Sequence, residues 1–237
     1  IGDGVSRFAE GDRVIGRCVT DGAYAEAACV EERFTVACPA EIPADEAAGL
    51  FVNPLTAWHA LHPFGGVTGD DTVLITAAAG GVGVCAVQLA RQAGARVVAA
   101  AGTEPKRQLA ADLGADVTVD YTDPDWPAAV LDATGGEGVS LVLESVGGEV
   151  FSGCLDCWAP GGRLVVFGQA CGTAGTLPAN ILLFGNRTVR GLALGTVIEN
   201  EAVMREGMDR ILEAYRAGDL RIIVGETHAI ADAAEAH

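Results

Sequence analysis

The run Ala78-Ala79-Gly80-Gly81-Val82-Gly83 has the composition of a turn that can hold a phosphate. Such a turn must reverse tightly, let backbone approach a pyrophosphate, and let the next helix sit close on the preceding strand. Gly80, Gly81 and Gly83 can supply all three, and the N–H groups opening the helix then face the phosphates. A second group follows at Ala99-Ala100-Ala101-Gly102-Thr103. A site for a dinucleotide lacking a 2′-phosphate usually places an acid here, on the ribose. No acid is present. Small residues leave room for a phosphate, Thr103 can donate a hydrogen bond, and Lys106 and Arg107 can add charge-assisted contacts, which Glu104 blunts slightly. Together the two groups predict a nicotinamide dinucleotide site selective for NADPH over NADH. The competing reading is a solvated Lys–Arg pair on a helix.

Other reactive side chains form no comparable pattern. Cys154-Leu155-Asp156-Cys157 is a C-x-x-C, but no second such pair and no paired histidines complete a metal site. His59, His62, His228 and His237 are scattered. The C-x-x-C lies in an apolar-periodic stretch from Val150 to Trp158, so two thiols on a helix face are expected. The seven cysteines are an odd number at irregular spacings, which suits reduced thiols and a cytoplasmic setting better than a disulfide framework.

The elements around these groups alternate. Short apolar strands are predicted at Thr72 to Thr76, Arg96 to Ala100, Val117 to Val119, Val139 to Leu143, Arg163 to Phe167 and Thr188 to Leu192. Helices are predicted at Val82 to Ala93, from Pro105 to Gly114, at Pro127 to Thr134 and at Glu149 to Trp158. Six near-continuous apolar strands separated mostly by helices describe an α/β fold: a doubly wound parallel Rossmann sheet covered on both faces. Before it, Gly11 to Gly16 reads as a turn entering a strand, Ala23 to Ala27 alternates like another, and Asp45 is placed to cap a helix. After it, Glu201 to Ala217 is an amphipathic helix with Val203, Met208, Ile211, Leu212 and Tyr215 able to share one face. A strand at Ile222 to Val224 and an alanine-rich helix close the chain.

The whole-chain balance narrows the partners. Of 237 residues, 15 are Lys or Arg and 32 are Asp or Glu, a net charge of −17. Binding nucleic acid begins with neutralising phosphates, so that class is excluded, as is docking on anionic lipid. The apolar runs fall far short of the roughly 20 residues a membrane helix needs. The chain opens Ile1-Gly2-Asp3-Gly4 with no signal-like start and no Met, and a fragment of a longer protein is expected.

These residues resemble the zinc-independent quinone oxidoreductase (zeta-crystallin-like) branch of the medium-chain dehydrogenase/reductase superfamily. The resemblance rests on Gly11-Asp12-Arg13-Val14, Pro54-Leu55-Thr56-Ala57-Trp58, Thr76-Ala77-Ala78-Ala79-Gly80-Gly81-Val82-Gly83, Asp120-Tyr121, Glu144-Ser145-Val146-Gly147 and Val166-Phe167-Gly168. It covers essentially the whole chain in order, and the alanine-rich turn is its most specific part. It implies a Rossmann domain over 56–194, with 1–55 and 195–237 forming a partial, mostly β GroES-like substrate domain truncated at both ends.

The resemblance also implies roles. Thr56 would contact the nicotinamide end, and Ala79, Gly80, Gly81 and Val82 the pyrophosphate. Gly102, Thr103 and Lys106 would surround the 2′-phosphate, with Tyr121 on the adenosine side. Ser145 and Val146 would line the ribose, and Phe167, Gly168 and Gln169 would sit near the nicotinamide. The implied activity is hydride transfer from NADPH to a quinone or an α,β-unsaturated carbonyl without zinc. No general acid is identified: Tyr24 has the chemistry, but a strand tyrosine in a barrel is more often packing. A homodimer through the last Rossmann strand, near Val189 to Leu194, is implied too. Two alternatives stand. One is a zinc-dependent alcohol dehydrogenase, disfavoured by the turn's spelling and by the lack of a four-cysteine lobe. The other is a non-catalytic NADPH-binding sensor or structural protein.

Overall fold

The computed structural model describes residues 1–18 and 22–236. The N-terminal segment contributes two short strands, β1 (Val14–Gly16) and β2 (Thr35–Ala37), paired antiparallel with Ile15 opposite Val36. Two helices lead inward, α1 (Ala44–Gly49) and α2 (Val52–His59), and α2 runs on into a widened π turn at Ala60–Phe64 that contains Pro63. Two expectations fail here. Ala23 to Ala27 forms exposed bends and no strand, so Tyr24 is 71% exposed and does not pack in a barrel. Asp45 falls inside the first turn of α1, where its carboxylate accepts the Glu46 N–H at 3.0 Å. Pro43 takes the capping position instead, its carbonyl accepting the Ala47 N–H at 2.8 Å with φ already preset by its ring.

From Thr72 the chain alternates strand and helix in the predicted order: β3 (Thr72–Ile75), α3 (Gly81–Gln92), β4 (Arg96–Ala100), α4 (Glu104–Asp112), β5 (Val117–Val119), α5 (Trp126–Ala133), β6 (Val139–Glu144), α6 (Gly148–Asp156), β7 (Trp158–Val166), α7 (Ala179–Gly185) and β8 (Thr188–Gly191). Trp158 opens β7 and does not end α6. The six strands lie in the order β5-β4-β3-β6-β7-β8, all parallel. The order reverses beside β3, which pairs with both β4 and β6. That reversal opens a crevice at the carboxyl ends of the strands, where ligands bind in sheets of this kind.

Successive strand residues face opposite sides of the sheet. Val73, Ile75, Val97, Ala99, Leu141 and Leu143 join one core with residues of α2 and α3, while Leu74, Val98, Ala100 and Val142 join the other with Trp126, Phe151 and Trp158. Burial on both faces explains why the strands read as unbroken apolar runs.

Three further helices follow: α8 (Leu194–Val197), α9 (Glu201–Ala217) and α10 (Ala233–Ala236). Asn200 caps α9 by accepting the Ala202 and Val203 N–H groups, and Gly218 closes it in the left-handed region at φ +79. Its buried stripe is Met204, Met208, Ile211, Leu212 and Ala214, with Val203 and Tyr215 half-buried at its margins. Gly207 brings α9 onto α2, where an added Cβ would lie 2.5 Å from Leu55. His59 is fully buried beside it, with neither ring nitrogen hydrogen-bonded, and burial lowers its pKa to about 4. It is a neutral packing residue. Ile222 to Val224 forms no strand, and just before it Gln88 bonds both the N–H and the carbonyl of Arg221.

The amino-terminal edge of the sheet is fastened by Asp71, which is 6% exposed. Its carboxylate accepts Arg163 Nη2 at 2.8 Å, the Ser140 hydroxyl at 2.6 Å and the Thr68 N–H at 2.8 Å, tying the start of β3 to β6 and β7. Burial alone would raise its pKa; these donors more than offset that and hold it below the usual carboxylate value.

Candidate dinucleotide-binding site

The glycine-rich turn stands at the carboxyl end of β3 and runs into α3. Its left-handed residue is not a glycine. Ala77 has φ +47, and Gly80 has an ordinary φ of −79. The turn is held by Ala78 N–H donating to Ala100 O at 3.1 Å and Gly80 N–H to Ala77 O at 2.8 Å. Gly83 is the residue the packing demands: a Cβ there would overlap the Ala77 carbonyl and come within 2.7 Å of Ala78 backbone. Gly80 and Gly81 are exposed and Ala79 and Val82 half-buried, so the opening turn of α3 faces outward with its first N–H groups lacking intrahelical acceptors. This is a cradle of the kind a pyrophosphate fits.

Two side chains that sequence reading passes over border this cradle. Asn53 of α2 lies against Gly81, close enough that a Cβ on Gly81 would overlap its amide. Cys85 Sγ approaches Gly81 O at 3.4 Å, and burial pushes its pKa up to about 12, so it remains a thiol. Asn53 stands in the Asn-Pro-Leu-Thr run that carries Thr56, which is the signal that could have found it. Thr56 itself is 7% exposed, and its hydroxyl donates to Val52 O at 2.7 Å within α2. Its proton is thus already taken by the helix backbone.

At the tip of β4, Gly102 is half-buried and Thr103 and Lys106 are exposed. Thr103 is the N-cap of α4, with no side-chain cap bond, so its hydroxyl is not used to close the helix. Tyr121, at the end of β5, lies against Gly102: an added Cβ would stand 3.1 Å from its ring. Arg107 turns away from solvent to Asp120 at 2.5 Å and Glu104 at 2.7 Å. Lys106 pairs with no carboxylate among the described residues. The tip therefore presents one unpaired cation, a free hydroxyl and an open backbone, a donor set that fits a phosphate.

The opposite wall comes from the ends of β6 and β7. Thr76 Oγ1 accepts the Ser145 N–H at 3.0 Å, fixing the β6 end to the β3 end. Ala170 N–H donates to Ser145 O and Cys171 N–H to Val146 O, both at 2.9 Å, so the two loops lie edge to edge. Gly168 packs on Ser145, where a Cβ would stand 2.8 Å from the Ser145 carbonyl. Gly147 takes φ +83 and would clash with Thr173 O if it carried a Cβ. Glu144, fully buried, orients this loop by accepting the Val146 and Gly147 N–H groups on Oε1 at 2.7 and 2.8 Å. Burial raises its pKa, opposed by those two donors, and Oε2 has no partner. Phe167 is half-buried and Gly168 and Gln169 exposed on the facing loop.

One family model, described as a zinc-binding dehydrogenase, matches residues 81–213. The chain is 34% identical over its whole length to a quinone oxidoreductase of Pseudomonas aeruginosa, covering 73% of that protein. It is 33% identical to a 2-haloacrylate reductase of a Burkholderia species, covering 72%. The chain belongs to the quinone oxidoreductase branch of the medium-chain dehydrogenase/reductase superfamily. A Nematostella vectensis quinone oxidoreductase-like protein 2 homolog is 34% identical over 93% of the chain, which spans only 61% of that relative's length. Among solved structures of this branch, a Pseudomonas syringae quinone oxidoreductase superposes over the whole chain and 73% of its own, with TM-score 0.93 and 32% identity. Escherichia coli quinone oxidoreductase complexed with NADPH superposes with TM-score 0.89 at 30% identity, over 95% of this chain and 69% of its own.

The C-x-x-C of this family member holds no metal arrangement. Cys154 and Cys157 are both buried, at the end of α6, and burial raises both thiol pKa values, that of Cys157 to about 12. Among the described residues, no group of three or more His, Cys, Asp or Glu side chains is placed to hold a metal ion. Among the same residues, no helix is long and apolar enough to cross a membrane.

Proposed function

We propose that this protein is a cytoplasmic NADPH-dependent reductase of quinones or α,β-unsaturated carbonyls that works without zinc. The observation that carries the reading is the tip of β4, where residues 99–103 hold no acid, the Thr103 hydroxyl makes no cap bond, Arg107 occupies Glu104 and Asp120, and Lys106 pairs with no carboxylate among the described residues. NADPH would supply the hydride that the reaction transfers. Ala79, Gly80, Gly81 and Val82 bind the pyrophosphate with backbone N–H groups. Gly102, Thr103 and Lys106 hold the 2′-phosphate, Tyr121 the adenosine, and Ser145 and Val146 the ribose. Thr56, Phe167, Gly168 and Gln169 bound the nicotinamide end. The chain's contribution is to bind and orient, keeping donor and acceptor at reacting distance.

The names of the relatives support the substrate class, and the alanine-rich turn supports independence from zinc. Seven free cysteines support a reducing compartment. Residues 1–55 and 195–237 supply part of a GroES-like substrate domain, and 56–194 the Rossmann domain. A homodimer through β8 is supported by its place at the sheet edge and by Leu183 and Phe184 of the adjoining α7, 70% and 82% exposed.

The test is oxidation of NADPH and of NADH with phenanthrenequinone, a simple enone and a primary alcohol's aldehyde, together with metal analysis of the purified protein. Turnover of quinone or enone with NADPH preferred is the expected result. Turnover of the aldehyde alone with one tightly bound zinc per chain would make it an alcohol dehydrogenase. NADPH binding with no turnover of any acceptor would make it a sensor.

A further inference from the structure

The corner where the tip of β4 meets the end of β5 carries four charged side chains: Glu104, Lys106, Arg107 and Asp120. Their charges cancel. Arg107 is 17% exposed, and each of its three guanidinium nitrogens donates to a neighbour. Nη2 and Nε donate to Glu104 Oε2 at 2.7 and 3.1 Å, Nη1 donates to Asp120 Oδ2 at 2.5 Å, and the Ala101 carbonyl lies 3.5 Å from Nη1. Asp120 is fixed from its other side as well. Its Oδ1 accepts the Thr122 N–H at 3.0 Å and the Thr122 hydroxyl at 2.6 Å. It stays ionised, since those Thr122 bonds and then Arg107 lower its pKa. A carboxylate this well held cannot swing away from an incoming phosphate.

We propose that Arg107 sets the preference for a 2′-phosphorylated dinucleotide without touching the phosphate, by masking Asp120 and Glu104. Unmasked, those carboxylates would stand beside Lys106 and act as an acid at the strand tip does: they would repel a 2′-phosphate and accept a hydrogen bond from a ribose hydroxyl. Removing the guanidinium takes the local sum from zero to minus one. The masking suits a planar fork, because its nitrogens are spread to meet two carboxylates from different elements at once, which a compact ammonium matches less well. Arg107 is therefore a specificity-determining residue that acts through its neighbours. The inference rests on the NADPH reading above and deepens it.

The test is the ratio of dissociation constants for NADH and NADPH, measured by calorimetry on the purified chain without any acceptor. Arg107→Met should lower the preference for NADPH about tenfold or more, Arg107→Lys should fall between it and the wild type, and Asp120→Asn should keep or raise the preference. The decisive variant is Glu104→Gln/Arg107→Met/Asp120→Asn, which should restore the wild-type ratio to within about threefold, since nothing remains to mask. An unchanged ratio in Arg107→Met would overturn the proposal. A loss that the triple variant fails to restore would mean that Arg107 contacts the phosphate itself. Loss of preference in Asp120→Asn would mean that Asp120 serves only to hold the Tyr121 turn. Should Arg107→Met fail to fold, the triple variant and Arg107→Lys still decide. A wild type that prefers NADH would defeat the cofactor reading instead, before any variant is compared.

Discussion

Asp71–Arg163 at the amino-terminal edge of the sheet and Asp120–Arg107 at its carboxyl edge are both close carboxylate–guanidinium pairs, at 2.8 and 2.5 Å. Their settings differ. The Asp71 side chain is 7% exposed and collects donors from three elements, whereas Asp120 is 34% exposed and bonded within its own turn and to α4. A buried pair broken on one side leaves a charge without water, while an exposed one is resolvated. The first pair is therefore placed to hold strands together, and the second, in the proposal above, sets the charge presented to a ligand. On that proposal one sheet keeps its stability at one edge and its recognition at the other.

The largest expected effect tests the stability half. Asp71→Ala leaves Arg163, Ser140 and the Thr68 N–H without their shared acceptor and should cost about 3 kcal/mol in urea denaturation. Because the folded pKa of Asp71 lies below its unfolded value, its contribution is full above about pH 4 and lost as the pH falls through the folded pKa. The wild type and Asp71→Asn should therefore converge in stability on acidification below that point. Parallel curves would show that the carboxylate charge is not what fastens the edge.

Gly83→Ala brings the comparison to the carboxyl edge, where backbone packing serves both ends. Its Cβ would overlap Ala77 and Ala78 backbone, so α3 must shift off β3 at about 2 kcal/mol, with dinucleotide affinity falling in parallel. Wild-type affinity in a destabilised Gly83→Ala would separate packing from recognition at this turn and weaken the division drawn between the edges. Ala77→Gly should act the other way. Relief of the left-handed conformation, reduced by the entropy glycine adds to the unfolded chain, should leave a gain of about 0.5 kcal/mol in the same denaturation experiment.

How much of this was legible in the sequence follows from range. The strand–helix alternation and the glycine-rich turn are local signals, set by periodicity and by residue type, and the six-stranded sheet emerged in the predicted order. The alternation at Ala23 to Ala27 misled, because a period of two says nothing about whether a partner strand is there to complete the ladder. Ile222 to Val224 misled for the same reason: an apolar run does not carry its own partner strand, and these residues pair with none among the described residues. At the site, Lys106 and Arg107 look equivalent in sequence, adjacent and both cationic. Only the fold brings Asp120 across to occupy one of them. Asn53 is not singled out by the sequence, and Glu144 stands in a motif with no role of its own, because their importance lies in which turn they touch, and that is a tertiary fact.

The smallest effect bears on the recognition half. If Asp120–Arg107 exists to balance charge and not to hold strands, Asp120→Asn should leave the thermal midpoint within experimental error of the wild type. An amide keeps the Thr122 hydrogen bonds within reach, and the Arg107 guanidinium remains paired with Glu104. What should change is the salt dependence of NADPH binding: with one carboxylate fewer at the corner, affinity should fall more steeply as salt rises, because more net positive charge faces the phosphate. A clear drop in the midpoint with an unaltered salt slope would make Asp120–Arg107 a second structural fastening, and the two edges would then differ only in how deeply their clasps are buried.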